Sequence, residues 1–293
     1  MRERLKVIIA MLIFGSIAIF VRKVDLPSSV TALLRGIIGS LFLLLYGLVT
    51  KSKISIKTIK KNALILFLSG AAIGFNWIFL FEAYKYTTVS IATLCYYFAP
   101  VIVMILSPII LKESLGIRKL LCIAAAMTGL FLVINPVEIT SPSSNHAVGM
   151  FYGLSAAILY ASVMLLNKFL IDLSGIETTV VQLLTSAITL VPYIIFIERP
   201  GLINFKVEYI PNILILGIIY TGIAYLLYFS GIQGIKGQTI AMLSYIDPIT
   251  AVIISSVFLG EGMNFLQIAG GILILGSTFL SEYRGKNLSK NFQ

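Results

Sequence analysis

At 293 residues, 58% hydrophobic and 12% charged, with a mean hydropathy of +1.00, the chain falls far from the roughly 25% charge of soluble domains and reads as a polytopic membrane protein. The formal charge of +10 invites a nucleic-acid partner, but the bases lie between apolar runs with no basic stripe beside stacking aromatics, which excludes it. Cys95 and Cys122 fall inside apolar runs and His146 is the only histidine, so neither a disulfide framework nor a metal site is expected, and no cofactor.

A helical span needs about 20 mostly apolar residues. Ten candidates follow in chain order: 6–21, 30–50, 63–83, 88–111, 117–134, 148–167, 178–197, 210–231, 239–259 and 265–281. The first resembles a signal peptide, since Arg2, Glu3 and Arg4 precede an apolar core. It ends on Val21-Arg22-Lys23 without a small-residue cleavage site, so it is read as a mature helix. Orientation follows the basic residues. With the N-terminus in the cytoplasm, sixteen Lys and Arg fall on inner segments and five on outer ones, and Arg35 lies within span two. The expectation is therefore N-in and C-in in the plasma membrane, the bacterial inner membrane in particular.

One stretch occurs twice. Ile91-Ala92-Thr93-Leu94-Cys95-Tyr96-Tyr97-Phe98-Ala99-Pro100 returns as Ile240-Ala241-Met242-Leu243-Ser244-Tyr245-Ile246-Asp247-Pro248, and each proline is followed thirteen residues later by Glu113 or Glu261 (113 − 100 and 261 − 248). A duplication of this kind divides the chain into 1–137 and 146–293, joined by a linker at 138–145. Five spans per half is an odd number, so the second half must enter the membrane inverted. Inverted repeats are a recurring plan of secondary transporters, with the substrate site near the midplane between them. The fold class is thus all-α, with ten transmembrane helices as two inverted five-helix repeats.

Ten spans in two fives, each half carrying an A-x-L-x(n)-P-x12-E segment and a glycine-containing last helix, resemble the drug/metabolite transporter superfamily, EamA type. The resemblance covers nearly the whole chain. It implies exporters or exchangers of small metabolites such as amino acids, working around a cavity between the halves. It does not transmit the substrate.

Several residues are candidates for that cavity. Pro100 and Pro248 fall mid-span, where each would free the carbonyl four residues back, of Tyr96 and Ser244. Freed backbone groups at that depth survive only against protein or a watery cavity. The alternative is a packing kink. Asp247 is the only carboxylate well inside a span; an acid there costs about 2.5–3.5 kcal/mol on insertion scales, so it faces a cavity or a partner. Ser244 and Tyr245 lie beside it. Asn76, Trp77, Tyr97, Tyr160, Tyr225 and Tyr228 form polar-aromatic stripes suited to organic cations or aromatic amino acids, with interhelical glue as the plain alternative. Arg35 either snorkels or pairs with Glu82 as an outer gate. Glu113 and Glu261 read as turn-and-cap residues.

No Walker-type phosphate loop is present. The leading expectation is a secondary active exporter of small organic metabolites by alternating access, with protons as candidate coupling ion through Asp247. Uncoupled exchange or channel-like permeation, and flipping of a lipid intermediate, are the alternatives. An intramembrane enzyme lacks its acid pair, metal cluster or catalytic histidine.

Overall fold

The structure, a computed structural model, describes residues 2–51, 55–111, 116–134, 145–198, 204–232, 243 and 246–283. Among these every regular element is helical. Helices α1 (Arg2–Gly15) and α2 (Ala18–Val21) form the first span, α3 (Ser28–Val49) the second, and a short α4 (Ile56–Lys61) leads into α5 (Ala63–Tyr86). Then come α6 (Val89–Tyr96), α7 (Ala99–Ile110) and α8 (Ile117–Ile134). The remainder comprises α9 (His146–Asn167), α10 (Gly175–Tyr193), α11 (Ile210–Ile215), a π-helical segment (Leu216–Ile223), α12 (Ala224–Ile232), α13 (Ile246–Phe258) and α14 (Phe265–Tyr283).

Among the described residues seven helical runs are long and apolar enough to cross a membrane: Glu3–Val21, Ser28–Val49, Ala63–Tyr86, Val89–Ile110, His146–Asn167, Gly175–Phe196 and Val207–Tyr228. Three further apolar helices are shorter, Leu120–Leu132, Ile246–Phe258 and Phe265–Ser277. These ten segments fall within the ten expected spans, give or take a few residues. Large apolar side chains point outward, among them Val49 at 83% exposure and Phe265 at 82%, as a lipid-facing surface requires and a water-facing one would not tolerate. The protein is an all-helical polytopic membrane protein.

In hydrocarbon the apolar effect does not drive helices together, so close packing and interhelical hydrogen bonds must. Helix α5 packs on α9 and α10, while α1 packs on α12 and α13; α3 lies against α10 and the π segment, α6 against α9 and α13, and α8 against α14. The close approach of α5 to α10 needs Gly70, where a Cβ would come within 2.7 Å of the Gln182 carbonyl oxygen. Beside it Gln182 donates to Ser69 Oγ at 2.8 Å and to Asn167 Oδ1 at 2.7 Å, fastening three helices with one amide. The first span breaks after Gly15, which α1 presses so closely to α13 that a Cβ would lie 2.5 Å from the Asp247 carbonyl oxygen.

The two prolines act differently from a mid-helix kink. α6 ends at Tyr96, Tyr97 N–H folds back to Thr93 at 2.9 Å, and α7 starts anew at Ala99 with Pro100 in its first turn. Pro248 likewise occupies the first turn of α13. A proline there sacrifices no hydrogen bond, since first-turn N–H groups have no intrahelical partner. In the first copy the expected kink is a helix start. Ser244, Tyr245 and Glu113 lie outside the described residues.

Gly70→Ala should lower the melting temperature of the detergent-solubilised protein by several degrees, an overpacking cost of about 1–3 kcal/mol. Gly47→Ala, with nothing within 4 Å of its Cβ position, should leave it unchanged or slightly raised.

Candidate functional site

The helix break in the fourth span and the start of α13 bring polar groups to one region. Asp247 sits in the first turn of α13, where the positive end of the helix dipole favours a carboxylate. The Tyr97 hydroxyl, at the break itself, lies within hydrogen-bonding reach of it. Tyr96 lies edge-on to Tyr97 with ring centroids 5.6 Å apart and stacks on Tyr160 of α9 at 5.2 Å. From the other side Phe14 of α1 meets Tyr225 at 5.3 Å and Tyr228 at 6.4 Å, both from α12.

These seven side chains come from five helices and lie deep in the protein, yet each is only half-buried. Accessible surface at depth means an opening, and its lining is aromatic with a single carboxylate. Sequence reasoning had no signal for Phe14, an aromatic in an apolar run like many others.

Arg35 forms the adjoining wall. It is 3% exposed, with its guanidinium 4.1 Å from the Trp77 ring centroid and 5.4 Å from that of Phe81. Its Nε donates to Thr221 Oγ1 at 3.0 Å. The π segment sets that acceptor: Thr221 Oγ1 itself donates to the Leu216 carbonyl five residues back at 2.9 Å. Trp77 and Tyr225 pack in the same core, which links this wall to the aromatic lining. Arg35 does not snorkel, and it does not pair with Glu82. Lys85, three residues on along α5, takes Glu82 at 2.9 Å on the rim, a shorter reach than one into the interior.

Asn76 is buried and donates to the Ala156 carbonyl oxygen at 2.6 Å, so in this structure its amide joins α5 to α9. Pro248 is buried at the start of α13, and Pro100 is placed by backbone only.

A second cluster ties helices together at one end of the protein. Arg22, just after α2, forms an ion pair with Glu261 and donates to the Tyr84 and Thr87 carbonyl oxygens at 3.0 and 3.1 Å. Glu261 also accepts from Ser255 Oγ and, at 2.8 Å, from the backbone N–H of Val89, the first residue of α6. Thr87 Oγ1 meets His146 Nδ1 at 2.8 Å, adding the start of α9. Glu261 is therefore a cap, but of a helix far away in sequence rather than of the one that follows it. Beside it a cleft of about 430 Å³ is lined by Arg22, Asp25, Ser28, Thr31, Phe81 and Tyr84.

Membrane-spanning helices around an internal polar-aromatic recess define a polytopic transporter. The profile of the EamA-like transporter family matches residues 2–135 and 147–283, and the chain belongs to that family. It is 30% identical over 280 residues to the uncharacterized transporter YxxF of Bacillus subtilis (strain 168), covering 96% of this chain and 89% of the relative. It is 25% identical over 277 residues to an uncharacterized transporter of Archaeoglobus fulgidus, covering 94% of each. The uncharacterized inner membrane transporter YicL of Salmonella typhimurium is 26% identical over 289 residues. A crystal structure at 17% identity matches with a TM-score of 0.66 over 95% of this chain and 96% of that one, which shows the shared fold. The chain is a transmembrane transporter of the EamA type.

Asn76→Ala should cost about 0.5–1.5 kcal/mol of stability by removing the hydrogen bond that joins α5 to the Ala156 carbonyl of α9. It should leave the transport KM unchanged, which thermal unfolding and initial-rate kinetics check together.

Proposed function

We propose that the protein is a secondary active exporter of small organic metabolites such as amino acids, working by alternating access between two inverted five-helix repeats. The observation that carries this reading is the half-buried aromatic recess with Asp247 on its wall, beneath an end tied shut by Arg22 and Glu261. Two more support the inversion. The family profile falls on two separate stretches, 2–135 and 147–283. The packing partners are also reciprocal: α5 on α9 mirrors α1 on α12, and α6 on α9 mirrors α1 on α13, while α3–α10, α6–α13 and α8–α14 pair equivalent spans with each other. A head-to-tail twofold arrangement produces such a pattern, and a single unrepeated bundle has no reason to.

With both termini in the cytoplasm, the Arg22 face is the outer one, and its ion pair is the outer gate. The recess then communicates with the cytoplasm in this state, and the gate opens when the two repeats rock past each other. In this scheme Asp247 takes the coupling proton. It is an acid in a desolvated wall held by one tyrosine hydroxyl, and substrate and proton compete for it. Tyr96, Tyr97, Tyr160, Tyr225, Tyr228, Trp77 and Asp247 contact the substrate, and Pro100 and Pro248 hold the helix starts that shape the pocket. Ser244 and Tyr245 precede α13 in sequence and complete the site.

Asp247→Asn reconstituted in proteoliposomes should lose uptake driven by an imposed pH gradient, while exchange at equal pH persists with a raised substrate KM. Gradient-driven uptake that matches wild type would remove the proton role. Arg22→Ala should make a cysteine introduced at Ser28 react at least several-fold faster with an impermeant thiol reagent added outside intact cells. The native thiols are buried, so the background is low. An unchanged rate would show that the Arg22–Glu261 pair does not seal that face.

A further inference from the structure

The charge arrangement around the recess points to the ligand. A guanidinium carries five N–H donors. In Arg35 the Nε–H goes to Thr221, and among the described residues the Nη groups meet no hydrogen-bond acceptor and no carboxylate lies within 4.0 Å. The acids that could have neutralised it are committed elsewhere, Glu82 to Lys85 and Glu261 to Arg22. A cation this deep is costly unless something compensates it. Trp77 and Phe81 compensate in part by presenting their ring faces, but ring faces leave the in-plane N–H groups unsatisfied.

Asp247 is the complement. Among the described residues its carboxylate has no cation within 4.0 Å, and the Tyr97 hydroxyl lies within its reach. The two opposite charges do not pair with each other, although Tyr225 lies within electrostatic reach of both, as do Tyr84 and Tyr96. Between them lie Trp77 and Tyr225, packed in one core, and Phe14, which meets Tyr225 ring to ring. Two structural charges in a low-dielectric wall would gain most by closing onto one another. Held apart across an aromatic floor, they are matched instead to something that enters between them.

We propose that Arg35 and Asp247 are the two ends of one ligand site, and that its ligand is a zwitterion with an apolar or aromatic body. The ligand carboxylate takes the free Nη fork of Arg35, for which a planar bidentate partner is the best fit. The ammonium takes Asp247 beside Tyr97, and the body lies on Tyr225, Tyr96 and Phe14. A free amino acid and a short peptide share this chemistry and differ in the distance between charges. The assignment rests on the transport reading of the same recess.

The protein supplies its own reporter, because Trp77 is the only tryptophan, lies against Arg35 and packs in one core with Tyr225. Purified full-length protein in detergent is titrated, with Trp77 fluorescence as readout, against phenylalanine, alanylphenylalanine, phenylalanine methyl ester and 3-phenylpropionate. A zwitterion should bind about tenfold or more tighter than the ester or the acid, the worth of a charge-assisted hydrogen bond. Which of phenylalanine and alanylphenylalanine binds tighter identifies the charge spacing. Arg35→Gln should erase the preference over the ester, Arg35→Lys should restore part of it, and Asp247→Asn should erase the preference over the acid. Ester or acid binding as tightly as both zwitterions, or a flat titration with all four ligands, overturns the assignment; this comparison on wild-type protein stands even if a variant fails to fold. Counterflow in proteoliposomes separates the two readings. A zwitterion that binds but is not exchanged leaves the site and removes transport, whereas exchange of amines or acids in preference leaves transport and removes the site.

Discussion

Inside a bilayer every backbone N–H and C=O must find a partner within the protein, and the rest of this structure follows from how that demand is met where helices stop. The fourth span stops at Tyr97 and restarts at Ala99, and α13 starts at Ile246. Helix starts leave N–H groups and a positive dipole end facing the interior. Proline in the first turn keeps such a start from extending backwards, and an aspartate beside it meets the positive end. The break thus explains at once why Pro100 and Pro248 stand where they do and why Asp247 is tolerated so deep. It also explains why Tyr97, freed from the helix, can turn its hydroxyl to that carboxylate.

Packing does the complementary task. Lipid offers no apolar gain for bringing helices together, so small residues and single polar links carry the contacts. Gly70 lets α5 reach α10, and Gln182 ties Ser69 and Asn167 across three helices. The residues that do this are clamped by their partners. Those lining the recess are half-buried and held mainly by ring contacts, a softer arrangement that lets a solute intrude without breaking the scaffold.

Much of this was legible in the sequence. The doubled Pro-x12-Glu segment, the balance of basic residues and the single deep acid pointed to a transporter, and Tyr96, Tyr97, Tyr160, Tyr225 and Tyr228 do converge. Two things were not legible, for physical reasons. Ion-pair choice depends on which rim positions meet in space, and Arg22 and Glu261 are 239 positions apart (261 − 22). A local competitor, Lys85, decided the fate of Glu82. Nor does a pattern of apolar residues distinguish Phe14 from its neighbours. The reading of Pro100 as a kink erred because a kinked helix and two abutting helices share one sequence signature.

The contact between Glu261 and the first N–H of α6 has a mechanical implication. Pulling Arg22 away from its partner frees the carboxylate, and a carboxylate that follows Arg22 strands a peptide N–H and uncouples α13 from α6 in the same motion. No halfway position keeps all three contacts. Release at that end is therefore a cooperative step rather than a graded loosening.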